Sequence, residues 1–277
     1  MEKKDKLKYF ASYIEDQLGI IYREDTLYLL ETRLTDIVKN LQLKSLDQLY
    51  TFALTNGVTG HFKQLLLDTA TNNETLFFRD PATFKGIQEK VIPDLIEKNP
   101  GARYLNIWSA ACSFGQEPYS LAILNEEMKA KNASIPRMLI SASDISSKAL
   151  NYAKNATYSQ LEVQRGLKTF LMIKYFKKNA ENYWELKPEI KLSVDFFEQN
   201  LLKLESLKGT FDIVLCRNVL IYQAVEQRRK IIANIAKHIR PNGYFIMGGA
   251  ESLLNLSDEF TQVNHGNAAF YQKKKTA

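Results

Sequence analysis

Cysteine is nearly absent: Cys112 and Cys216 are the only two in 277 residues. Two thiols exclude a disulfide-stapled scaffold. Reduced, partly buried cysteines in a cytoplasmic protein are the expectation, with one disulfide as the alternative. Histidine is almost as rare. His61, His238 and His265 lie far from any cysteine or carboxylate at metal-ligand spacing, so no metal site is expected. No apolar run approaches the roughly 20 residues that span a bilayer, and the opening MEKKDKLKYF carries charge where an export signal needs an apolar stretch. Neither membrane insertion nor secretion is expected. No Ser-His-Asp or Cys-His set for covalent catalysis is evident, and nothing resembles a nucleic-acid-binding motif.

What is present fits an ordinary globular chain, with 45% hydrophobic and 25% charged residues, long enough for one large and one small core. The net charge of +6 is uneven. Residues 1–70 carry 9 basic and 10 acidic groups, whereas residues 151–192 carry 8 and 4. The basic stretch Lys168–Lys191 and the Lys273–Lys275 tail are either solvated surface or an attraction for an acidic macromolecule.

Apolar periodicity divides the chain. Leu7, Phe10, Ile14, Leu18 and Ile21 recur at helical spacing. So do Leu27, Leu30, Leu34, Ile37 and Val38, then Leu46, Leu49, Tyr50, Ala53 and Leu54, with a short helix at 61–67. Residues 1–72 therefore read as an all-helical domain, 73–100 as a linker and connecting helix, and 101–277 as an α/β domain. In the last, apolar strands are expected at 104–109, 139–144, 194–197, 211–217 and 244–248, with helices at 118–131, 148–153 and 225–238. Pro241-Asn242-Gly243 reads as a turn before the fifth strand, and His265-Gly266-Asn267 as the tip of a hairpin pairing 260–264 with 269–273. A parallel sheet ending in an antiparallel hairpin is typical of the S-adenosylmethionine-dependent, Rossmann-like methyltransferase fold. An excursion at about 166–195 reads as a small antiparallel β-subdomain, with 169–175 and 183–186 as its strands.

Chemistry concentrates at strand ends. The stretch WSAACSFGQEPYS (108–120) is a strand, a run of small residues and a helix start, which lets a ligand approach the backbone. Its single glycine departs from the phosphate-binding G-x-G-x-x-G pattern. Glu117, at the helix mouth, interacts with the helix dipole or pairs with a cationic ligand group. Asp144 ends the second strand, where a carboxylate accepts both ribose hydroxyls or caps the next helix. Arg79, in TNNETLFFRD (71–80), is placed to hold a carboxylate across the domain junction. Arg217 and Asn218, ending FDIVLCRNVLIY (211–222), need partners if buried, and Tyr222 is an edge aromatic or faces a cleft. Asn200 and Leu201 form either an ordinary loop or a seat for an adenine.

These segments, with SASDIS (141–146), VDFFEQNLL (194–202) and PNGYFIMGGAESL (241–253), occur in register. Together they closely resemble the chemotaxis receptor methyltransferases of the CheR type, from about Asn73 to Tyr271. The resemblance implies a protein-glutamate O-methyltransferase using S-adenosyl-L-methionine. It implies that Asn73, Thr75, Arg79, Glu117, Asp144, Asn200, Leu201, Arg217 and Asn218 line the cofactor pocket and that Tyr222 lies near the transferred methyl; Arg79 and Tyr222 are expected to position the glutamate carboxylate. It further implies a monomeric, cytoplasmic enzyme acting on the cytoplasmic helices of transmembrane chemoreceptors, an acidic substrate that Arg33, Lys39 and Lys44 would meet. Two positions depart from the family pattern. Phe114 stands where Thr is usual and is expected to add bulk beside the pocket, and Gln116 stands where Glu is usual. A small-molecule methyltransferase and a non-catalytic adaptor of the same fold are the competing readings, the adaptor resting on Phe114.

Overall fold

A computed structural model describes residues 2–275. The N-terminal periodicities form α1 (Lys3–Leu18), α2 (Leu27–Asn40), α3 (Leu46–Asn56) and α4 (Gly60–Ala70). Phe10 and Ile14 of α1 share a core with Leu30, Leu34 and Ile37 of α2, Leu49 of α3 and Leu66 of α4. Each large side chain buried there contributes roughly 1.5–3 kcal/mol. The left-handed Gly19 (φ 72) ends α1 and turns the chain back across the molecule. After a junction at 71–80, α5 (Pro81–Gly86) runs through one π-helical turn into α6 (Ile92–Lys98).

The second half alternates strands with helices. Its elements are β1 (Tyr104–Ala110), α7 (Gln116–Lys131), β2 (Arg137–Asp144), α8 (Ser147–Asn155), β3 (Thr157–Tyr158), α9 (Gln160–Gln164) and α10 (Thr169–Tyr175). There follow β4 (Phe176–Lys178), β5 (Trp184–Leu186), α11 (Pro188–Lys191), β6 (Val194–Glu198) and β7 (Phe211–Cys216). The chain closes with α12 (Val225–Lys237), β8 (Ile239–Ile246), β9 (Phe260–His265) and β10 (Ala268–Lys273). The main sheet has the order β6-β2-β1-β7-β8-β10-β9. Its first five strands are parallel, and β10 runs antiparallel between β8 and β9. Ile107 and Trp108 of β1, on opposite faces, are both fully buried, as a sheet covered on both sides requires. From β1 the chain proceeds to β2 and β6 on one side, then crosses back to β7 and β8. The loops leaving β1 and β7 therefore part and open a crevice at the carboxyl edge.

Two expectations are corrected. Residues 169–175 form the helix α10, not a strand, because Leu171 and Tyr175, one helical turn apart, are its buried residues. The small sheet is instead β3-β5-β4, drawing one strand from before residue 166. Pro241-Asn242-Gly243 also lies inside β8. There it is accommodated as an irregularity in the pairing with β7, with Asn242 left-handed at φ 65.

Gly166 fixes how the subdomain meets the junction. Its φ is 107, and a Cβ there would lie 1.9 Å from the Phe77 carbonyl oxygen. Gly166→Ala is expected to destabilise the protein by at least about 2 kcal/mol, through left-handed strain and displacement of buried Phe77. Chemical denaturation checks this, and an unchanged midpoint would refute it.

Candidate active site

A cleft of about 1000 Å³, including its open mouth, lies over the carboxyl ends of β1, β2 and β7. Asn73, Thr75, Arg79, Glu117, Asp144, Asn200, Leu201, Arg217, Asn218 and Tyr222 all line it. Its walls come from both halves of the chain, since Leu18 and Ile20 of the helical domain face residues 199–202 and the turn after β7. Ile20 forms a β-bridge with Gln223, and Ile21 N–H donates to the Tyr222 carbonyl at 3.5 Å. The Asn200 side chain donates to the Gln17 carbonyl at 2.8 Å and accepts from Leu202 N–H at 2.9 Å, which ties the loop after β6 to the end of α1.

The loop after β1 is built on alternating left-handed residues: Ala111 (φ 57), Ser113 (φ 53) and Gly115 (φ 89). Phe78, Asp80 and Asn218 are left-handed too, so among the described residues five of the ten non-glycine residues with positive φ lie in or beside segments that line this cleft. Such concentration of backbone strain marks a functional site. Asp144 anchors the β1 loop. Its Oδ2 accepts from Ser113 N–H at 2.8 Å and its Oδ1 from Ser146 N–H at 2.9 Å. Burial raises its carboxyl pKa above the ordinary value, against the lowering effect of these donors. Asp144 does not cap α8; the Ser146 hydroxyl does, accepting from Ala149 N–H at 3.1 Å.

Glu117 and Arg217 meet beneath the cleft. Arg217 donates to Glu117 Oε2 at 2.9 Å, to Asp80 Oδ2 at 2.7 Å and to the Arg79 carbonyl at 2.8 Å, while the Ser109 hydroxyl donates to Glu117 Oε1 at 2.8 Å. Arg79 bonds the Glu74 carbonyl at 3.0 Å, and the Asn72 amide donates to the Tyr222 hydroxyl at 2.9 Å. Ser113 Oγ donates to the Asn73 carbonyl at 2.8 Å, joining the junction to the β1 loop. Sequence reasoning missed Asp80, Gln199, Gln223 and Glu251. Of these, only Asp80 and Glu251 had a signal, each being a carboxylate inside one of the motifs named above.

Phe114 does not add bulk to the cleft, contrary to expectation. Its ring packs on Tyr152 with centroids 4.9 Å apart, and its carbonyl accepts from the Tyr158 hydroxyl at 2.8 Å. Gln116 is buried, and its side-chain oxygen has no partner among the described residues. Cys112 and Cys216 are unpaired and buried, and burial pushes both thiols well above their ordinary pKa, so neither is a nucleophile at neutral pH. Arg33 is half-buried, and its Nη1 donates to Tyr22 Oη at 2.9 Å and to the Ala70 carbonyl at 2.7 Å.

Residues 73–269 match the family model described as CheR methyltransferase, SAM binding domain. The chain belongs to the CheR methyltransferase family. Three relatives align along nearly their whole length. Chemotaxis protein methyltransferase Cher2 of Pseudomonas putida is 36% identical, and chemotaxis protein methyltransferase 1 of Pseudomonas aeruginosa 37%, each over 267 residues and 96% of either chain. Chemotaxis protein methyltransferase 1 of Vibrio cholerae is 35% identical over 269 residues, 96% of this chain and 95% of its own. A CheR domain is an S-adenosylmethionine methyltransferase, and the cleft suits that cofactor. Leu201, Leu202 and Val219 give it apolar wall, Asp144 retains acceptor capacity for sugar hydroxyls, and the buried Asn218 Oδ1 and Gln223 Oε1 have no partner among the described residues.

Proposed function

We propose that this CheR protein methylates side-chain carboxylates of specific glutamates on the cytoplasmic helices of chemoreceptors. When bound, S-adenosyl-L-methionine supplies an electrophilic methyl group on a sulfonium. Asp144 would hold the ribose, Asn200 and Leu201 the adenine region, and Glu117 the methionine end, where Arg217 fixes its carboxylate. Asn73, Thr75 and Asn218 would complete the lining. The incoming glutamate, with an unperturbed pKa near roughly 4.3, arrives ionised, so no residue has to remove a proton. Arg79 and Tyr222 would align that carboxylate for in-line attack, and alignment alone is worth on the order of 7–11 kcal/mol.

The observation that carries this reading is the convergence of all ten residues, from five separate segments, on one cleft. A macromolecular substrate is favoured by the rim, where Ile221, Tyr222 and Val225 are each at least 40% exposed. Lys39, paired with exposed Asp36 at 3.8 Å, and Lys44 are both exposed and would meet an acidic partner, whereas Arg33 is half-buried. The adaptor alternative loses its support with the Phe114 ring packed on Tyr152.

Arg79→Ala is expected to lower turnover by roughly tenfold to a hundredfold while S-adenosylhomocysteine affinity falls much less. Base-labile transfer of labelled methyl to a purified chemoreceptor cytoplasmic fragment measures the first, and calorimetry the second. Normal methylation by the variant would remove Arg79 from the reaction.

A further inference from the structure

The turn after β7 carries Asn218 and Tyr222 into the cleft, yet little of it belongs to regular structure beyond one 3-10 turn, Leu220–Tyr222. Its shape depends on Glu251, a residue outside the cleft lining. Glu251 Oε2 accepts from Asn218 N–H at 2.7 Å and Gly248 N–H at 2.8 Å. Its Oε1 accepts from the N–H groups of Val219 (3.0 Å), Leu220 (2.8 Å) and Ile221 (3.2 Å). One carboxylate thus satisfies five backbone donors, four of them successive along the turn. Successive N–H groups converging on one point form an anion-binding concavity, and here the anion is the protein's own side chain. A carboxylate offers only acceptors, so it suits five donors; an amide would turn its own N–H groups against them.

The opposite side of the turn is held as well. Arg228 of α12 donates to the Gln223 carbonyl at 2.9 Å and the Ile221 carbonyl at 3.3 Å. Ile21 N–H takes the Tyr222 carbonyl between them. The backbone on both sides of Tyr222 is therefore pinned, its donors by an anion and its acceptors by a cation and the strap of the helical domain. Asn218, at φ 60, keeps its left-handed geometry within this clamp.

We propose that Glu251 is a positioning residue for methyl transfer, acting through Tyr222. This rests on the assignment of Tyr222 to the reacting carboxylate made above. A bond network that only stabilised the fold would lower cofactor affinity and turnover together, and its loss would cost the same factor whether or not Tyr222 kept its hydroxyl. A network that places the hydroxyl acts on turnover and has nothing left to place once the hydroxyl is gone.

The test compares Glu251→Gln, Tyr222→Phe and the double variant. Its readouts are kcat for labelled methyl transfer to a chemoreceptor cytoplasmic fragment and S-adenosylhomocysteine affinity by calorimetry. Glu251→Gln is expected to lower kcat by at least about tenfold, with less than about a threefold change in affinity. In the Tyr222→Phe background the same change should cost less than about twofold, the non-additivity of residues acting as a unit. If Tyr222→Phe is slow and Glu251→Gln multiplies that loss by its full factor, the Glu251 proposal alone is overturned. Affinity that falls in step with kcat overturns it as well. A Tyr222→Phe enzyme with full turnover overturns the Tyr222 assignment and, with it, the route given to Glu251. Should Glu251→Gln fail to accumulate, Glu251→Asp, which keeps the charge but shortens the reach, takes its place in the same cycle.

Discussion

Asp144→Ala is expected to weaken S-adenosylhomocysteine binding by about 3 kcal/mol, a factor of roughly 150. The aspartate is only 5% exposed and sits where β2 ends in the cleft. Its carboxylate does two jobs at once. It offers lone pairs to the cleft, and it fixes Ser113 N–H and Ser146 N–H, so its loss also releases the left-handed β1 loop. Asp144→Asn, which keeps one acceptor oxygen, should fall between alanine and the native protein. Calorimetric titration decides the matter, and wild-type affinity in the alanine variant would remove Asp144 from the cofactor site.

Arg217→Met is expected to cost about 3–5 kcal/mol of stability, lowering the melting temperature by roughly 10 °C. The Arg217 side chain is 2% exposed and Glu117 12%, so removing the guanidinium strands a buried anion. Asp80, at 43%, regains water and contributes less to the loss. Combining Arg217→Met with Glu117→Gln should recover part of the stability, because the uncompensated charge is then gone. Differential scanning calorimetry would show both effects. A single variant melting within about 2 °C of the native protein would mean that this ion network is not structural.

Much of the fold was legible because its signals are local. The N-terminal helices declare themselves through side chains three and four apart, such as Phe10 and Ile14. The parallel strands do so through runs like 213–216, apolar on both faces. Local signals failed where tertiary packing chose between conformations. The sequence FLMIKYF reads as a strand until the rest of the subdomain covers Leu171 and Tyr175 along one helical face. Pro241 reads as a stop, yet β8 absorbs it within its irregular pairing to β7. The hairpin at 260–273 was expected, but nothing local says that β10 rather than β9 would insert beside β8.

The cleft lining was legible for a related reason. Polar residues at the ends of apolar strands need partners, and Asp144, Arg217 and Asn218 announce themselves that way. Partners distant in sequence were not legible. Asn200 is bound to Gln17 across 183 positions, and Asp80 reaches Arg217 across 137. Glu251 was visible as a carboxylate inside a motif, but its role was hidden because the groups it binds are main-chain amides, which carry no side-chain signature.

The strap formed by Ile20 and Ile21 has one more consequence. Because the helical half supplies part of the chamber's wall, neither half alone encloses it. A molecule seated there that reaches Leu18 or Ile20 as well as the strand ends touches both, and part of its binding free energy is then spent on holding the halves together. Reciprocity then requires that a partner prying the helical half away loosen the nucleoside by the same factor. Occupancy and domain docking are thus two readings of one equilibrium.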